Sequence, residues 1–179
     1  KCYYEMNVPE KFYNQLDHLR KLDVTNCIVG SFCSRAHHRY GISAYNPFCA
    51  DPIKYVVKSE LGEKCDFESI FVHNAKSVLH NSQVKRKAQG HLMNGIQTAG
   101  TIFTQVGSVT GQWQDIIRAE LANYKNYFCE SNEGLITDWP SNYSLYGWLV
   151  SMKNGGAISP HIHETGWISG SIYINVPSK

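Results

Sequence analysis

The sequence predicts an α+β domain in which helices come first and strands follow. Apolar residues recur at helical spacing in the first half and again over residues 109–129. After Trp139-Pro140 the period changes to two, and Asn154-Gly155-Gly156 punctuates the alternation. Helices before strands is the order of an α+β chain rather than of alternating βαβ units. The 179 residues suffice for one domain with a real core, or for one domain with a helical lead-in.

Each element has its own signal. Pro9 suits a first helical position, and Phe12, Leu16 and Leu19 follow on one face. Asp23 is the expected cap of a second helix that carries Ile28 and Phe32 and stops near Gly41. Asn46 to Pro52 has the punctuation of an ordered loop, and Pro52 opens a short helix through Tyr55 and Val56. A third helical stretch starts at Asp66 with Phe67, Ile70, Phe71, Ala75 and Val78 as its apolar members. The polar run 81–89 is a loop or a helix end, and residues 96–103 suggest a short strand. The clearest helix covers 109–129, with Trp113, Ile116, Ile117, Leu121, Tyr124 and Phe128 as one core-facing stripe. Strands are expected over 145–153, 157–163 and 167–176, with 154–156 as the turn between the first two.

Composition narrows the function classes. Hydrophobic residues make up 42% and charged residues 18%, which is the balance of a globular chain. A formal charge of +2 is too small to imply a nucleic-acid partner, and Lys85-Arg86-Lys87 is short and lacks interleaved aromatics. No apolar run approaches the ~20 residues of a membrane span. The chain opens on Lys1-Cys2 rather than Met, so it is expected to be a piece of a longer polypeptide. Its six cysteines contain no Cys-x-x-Cys pair, which argues against a zinc ribbon or a dithiol redox motif. Reduced, mostly buried thiols in a cytoplasmic protein is the expectation.

The chemistry concentrates at His161-Ile162-His163. On a strand, positions i and i+2 share a face, and two neutral imidazoles converging there are good ligands for a divalent first-row metal. Glu164 would point to the opposite face, and joins the set only where the strand has broken, which Gly166 allows. His37, His38, His80 and His91 have no comparable context and are expected at the surface.

These residues resemble a family. Gly155-Gly156 through Pro160-His161-Ile162-His163 is similar to the Gly-Gly-x-x-x-Pro-His-x-Asp stretch of prolyl-hydroxylase-like oxygenases. Leu145 to Trp148, and His161 to Tyr173 with Ser169-Gly170-Ser171-Ile172-Tyr173, resemble the 2-oxoglutarate/Fe(II)-dependent oxygenases that read His-x-His and then Ser-Gly-x-Tyr-Tyr. Asn94 to Phe103 and Asn46 to Cys49 resemble upstream segments of that family, which is often fused to tetratricopeptide repeats. The resemblance implies a double-stranded β-helix (jelly-roll-like) barrel that uses Fe(II) and 2-oxoglutarate. Residues 1–60 would be a helical lead-in, the end of an upstream helical region among the options. Residues 61–179 would be the N-terminal part of the barrel, apparently truncated at its C-terminus, with helix 109–129 supporting it.

Carried over by position, His161 is the first metal ligand, His163 stands where the better-known relatives have Asp, and Tyr173 falls near a cosubstrate-carboxylate contact. The change to His163 removes a negative charge, so the iron would draw charge from 2-oxoglutarate. Either His163 or Glu164 takes the carboxylate's place. The distal His and the basic residue gripping 2-oxoglutarate are expected beyond Lys179. The implied activity is hydroxylation of a substrate the sequence does not identify, a protein among the candidates. The alternatives are a non-catalytic jelly-roll binding or assembly module and a cupin-like metal enzyme.

Overall fold

The computed structural model describes residues 1–22 and 26–176. In chain order it holds α1 (Cys2–Glu5), α2 (Pro9–Leu22) and α3 (Cys27–Tyr40), then 3₁₀ turns at Pro52–Tyr55 and Leu61–Glu63. A π-helical turn, Glu68–His73, runs into α4 (Asn74–His80). Then follow β1 (Arg86–Lys87), β2 (Leu92–Thr98), α5 (Ile102–Gln105), α6 (Gly107–Tyr127), α7 (Gly134–Thr137) and β3 (Val150–Ile158). The fold is α+β, with one small antiparallel sheet of order β1-β2-β3. Among the described residues no helix is long and apolar enough to cross a membrane.

Contacts divide the chain into two units. The first comprises Lys1–Val57, Lys125–Ser141 and His163–Ser169; the second comprises Lys58–Tyr124, Asn142–Ile162 and Gly170–Lys179.

In the first unit α2 and α3 bury one apolar face each. Phe12 and Leu16 are buried as their spacing predicts, but Leu19 is 44% exposed. On α3 the buried set is Val29, Cys33 and Ala36, one position on from the expected Ile28 and Phe32, which are half-buried. Asp23 lies outside the described residues; within them, Asn26 caps α3, its Oδ1 accepting from Ile28 and Val29 N–H at 3.0 and 3.1 Å. Gly41 ends the helix at φ 67°, a left-handed conformation that costs glycine little. Tyr4 meets Phe32 and Tyr40 edge-on at 5.7 and 5.9 Å, so the core is largely aromatic.

Asn46 organises the loop that follows. Its buried amide donates to the carbonyls of Gly30 and Cys49 at 3.0 and 2.6 Å and accepts from the N–H groups of Phe48 and Cys49. The start of α7 docks on this loop through Gly134 N–H to Pro47 O and Leu135 N–H to Phe48 O.

In the second unit, Phe71, Ala75, Val78, Val84, Ile102 and Trp113 form the core. Phe71 and Trp113 stack at 5.7 Å, and Trp113 Nε1 donates to Ile70 O at 2.6 Å, so the indole is buried with its polar atom satisfied. The long helix is α6, two residues off the expected bounds, and its stripe from Trp113 to Tyr124 faces inward.

The strands depart furthest from expectation. The segment 96–103 splits: β2 ends at Thr98, Gly100 turns at φ 64°, and α5 begins at Ile102. Residues 154–156 do not form a hairpin turn. They lie within β3, where Gly95 pairs with Met152 but Met93 with Ala157, so 153–156 bulge opposite Asn94. Gly155 (φ 71°) and Asn94 (φ 47°) take up the left-handed conformations this requires. Residues 145–149 run alongside without full strand pairing: Thr98 N–H donates to Leu149 O and Ile102 N–H to Gly147 O. No strand is assigned over 167–176 among the described residues. The period of two nonetheless holds in burial, because Ile172 and Ile174 pack against the core while Ser171, Tyr173 and Asn175 are exposed. The described strands form a three-stranded sheet, and no closed barrel is among them.

Candidate functional site

The last pair of the β2–β3 ladder is Leu92 with Ile158. One further bond extends it, from Ser159 N–H to His91 O at 2.8 Å. Pro160 has no N–H to continue pairing, so β3 ends before the histidine motif. His161 and His163 therefore lie in irregular chain, and the same-face rule for strand residues does not apply to them.

His161 is exposed, and its Nδ1 lies 2.9 Å from Ser159 O. A carbonyl only accepts, so Nδ1 carries the hydrogen and the ring's lone pair sits on Nε2. Metal-bound imidazoles are commonly held this way, with the non-ligating N–H donated to a carbonyl or carboxylate. The donor chemistry at His161 thus fits a divalent metal. Beside it lies His91, whose ring is nearly parallel (10°) with centroids 5.4 Å apart, and whose Nδ1 is 3.2 Å from Ser159 Oγ.

His163 belongs to the first unit, in the segment 163–169, and is half-buried. That segment turns through Gly166 N–H to His163 O at 3.0 Å. It is anchored by Trp167, whose Nε1 donates to Leu135 O at 3.0 Å and whose ring meets Phe48 edge-on at 5.0 Å. Glu164 is exposed and pairs with Lys1 Nζ at 3.4 Å. Tyr173 is 76% exposed. Among the described residues, no group of three or more His, Cys, Asp or Glu is placed to hold a metal ion.

The family model described as "Putative 2OG-Fe(II) oxygenase" matches residues 146–179. No curated protein and no solved structure gives a significant match. The matched stretch is well short of half the chain, yet it contains His161, His163 and Tyr173 and all but the first strand-like residue of the 145–149 run.

His91 is the neighbour that sequence reading passed over. It is exposed, as expected, but its place opposite Ser159 follows from the β2–β3 register. The bulge at 153–156 breaks that register, so simple counting along the two segments does not bring His91 to His161.

Six free cysteines complete the inventory of reactive groups. Cys33 and Cys49 are buried, Cys27 and Cys65 half-buried, and Cys2 and Cys129 exposed, so burial is less general than composition suggested. Burial pushes the Cys49 thiol up to about 11, with the Glu133 carboxylate adding to the shift. Such a thiol is inert at neutral pH and belongs to packing rather than catalysis.

Proposed function

We propose that residues 146–179 form part of an Fe(II)- and 2-oxoglutarate-dependent oxygenase site on a jelly-roll-like barrel, which hydroxylates a substrate, a protein among the candidates. The observation that supports this most directly is the coincidence of the family match with His161, a histidine whose Nδ1–H is engaged by Ser159 O. In this reading His161 ligates through Nε2, His163 supplies the second nitrogen, and Tyr173 addresses a carboxylate of 2-oxoglutarate. Iron, dioxygen and 2-oxoglutarate would together supply the oxidising chemistry.

The chain's own contribution is more specific. Ser159 holds the His161 tautomer and limits ring rotation, so less ordering remains to be done on binding. His163 brings no charge where a carboxylate is usual, so binding of the cation and of the dianionic cosubstrate should reinforce each other. Anaerobic equilibrium dialysis tests this. Fe(II) retention should rise several-fold when 2-oxoglutarate is added, and retention indifferent to it would count against the reading.

One observation favours a non-catalytic binding or assembly module instead. Tyr146, Trp148, Met93 and Met152 are 77%, 38%, 60% and 45% exposed on and beside the sheet, more apolar surface than a solvated strand face needs. Failure to retain iron under either condition would select this second reading.

A further inference from the structure

We infer that His91 and His161 form a paired-imidazole site for one divalent first-row transition cation, organised by Ser159. This rests on the metal-ligand role given to His161 above and adds a ligand from β2's leading edge, outside the residues the family match covers.

Ser159 holds both rings. Its carbonyl accepts from His161 Nδ1 at 2.9 Å, and its Oγ lies 3.2 Å from His91 Nδ1. The same residue is tied to the His91 backbone, by Ser159 N–H to His91 O at 2.8 Å and by Oγ to that carbonyl at 3.5 Å. With the Ser159 hydroxyl hydrogen given to His91 O, Oγ is left to accept from His91 Nδ1–H. Both imidazoles then carry hydrogen on Nδ1 and a lone pair on Nε2, which is the protonation pattern of a metal-binding pair. The rings are 10° from parallel with centroids 5.4 Å apart. Two nitrogens sharing one cation stand within about 4.2 Å, from bonds of about 2.1 Å each. Turning the exposed His91 ring toward its neighbour closes such a gap without disturbing the core. Two neutral nitrogens select an imidazole-binding ion such as Fe(II), Ni(II) or Zn(II) over Mg(II) or Ca(II), which prefer oxygen.

Calorimetric titration of the full chain with Ni(II), an air-stable probe, tests the pairing. His91→Ala and His161→Ala should each weaken binding at least tenfold. His91→Gln keeps a donor for Ser159 but has no ring nitrogen, and should not restore affinity. Far-ultraviolet circular dichroism checks that each variant is folded. Wild-type affinity in His91→Ala, with loss only in His161→Ala, would overturn the pairing and leave the oxygenase reading its ligand. Restoration by His91→Gln would reduce His91 to a positioning residue and equally overturn it. No binding by wild type would remove both.

Discussion

His161 donates its Nδ1 hydrogen to the carbonyl of Ser159, two residues before it, across 2.9 Å. A hydrogen bond closed within three residues fixes which nitrogen of the neutral ring carries the proton. Long-range ¹H–¹⁵N correlation of the metal-free protein should therefore show Nδ1 protonated and Nε2 with the shift of an unprotonated nitrogen. A dominant Nε2–H tautomer would mean that the ligand atom is not presented as described.

The cysteines should separate by reactivity. Cys2 and Cys129 are exposed, whereas burial raises the pKa of Cys33 and takes that of Cys49 to about 11. The thiolate is the reactive form, so a raised pKa removes it at neutral pH. Iodoacetamide at pH 7 should modify Cys2 and Cys129 first, and Cys33 and Cys49 only once the chain is unfolded. Peptide mass mapping over time reads the order.

Glu120 links α6 to the chain before α4. Lys64 Nζ and Ser59 Oγ both donate to it, at 2.8 and 2.6 Å, and they hold its carboxyl below the ordinary range. The folded-state pKa is the lower one, so the stabilisation is complete above the unfolded value, about 4.3, and is lost as pH falls through the folded value. The pair is partly solvated, so Glu120→Gln should cost about 0.2–1 kcal/mol at pH 7. Urea unfolding should show that cost shrinking toward zero in acid.

Gly134 is needed for close approach. A Cβ built there would lie 2.7 Å from Pro47 O, where backbone cannot easily give way. Gly134→Ala should destabilise the protein by about 1–3 kcal/mol through overpacking, measured as a lowered urea midpoint with unchanged slope. Trp167 hangs on the neighbouring Leu135 carbonyl, so its fluorescence should report the same change.

What could be read from the sequence was what short-range periodicity controls. The α6 stripe and the Gly41 stop emerge from 3.6-residue spacing and from the glycine's left-handed tolerance, and both stand in the structure. Even the alternation of Ile172 and Ile174 against Tyr173 survives without strand pairing, because burial alone imposes it. The β3 region was misread for a different reason. Asn154-Gly155-Gly156 has hairpin chemistry, but pairing with β2 on both sides converts it to a bulge, and only the partner strand reveals that. The reach of His91 to Ser159 is hidden by the same tertiary fact. His161 could be found from its Pro-His-x-His setting. The loss of strand geometry beyond Ile158 could not, since it depends on how Pro160 meets the end of the ladder.

The central claim is that His161 ligates iron that also binds 2-oxoglutarate. Anaerobic titration of the full chain with Fe(II) and 2-oxoglutarate, followed in the visible range, tests it most directly. The account predicts a weak charge-transfer band that saturates with 2-oxoglutarate and is abolished in His161→Ala. A band of equal strength in that variant, or no band and no iron retained by the wild type, would contradict it.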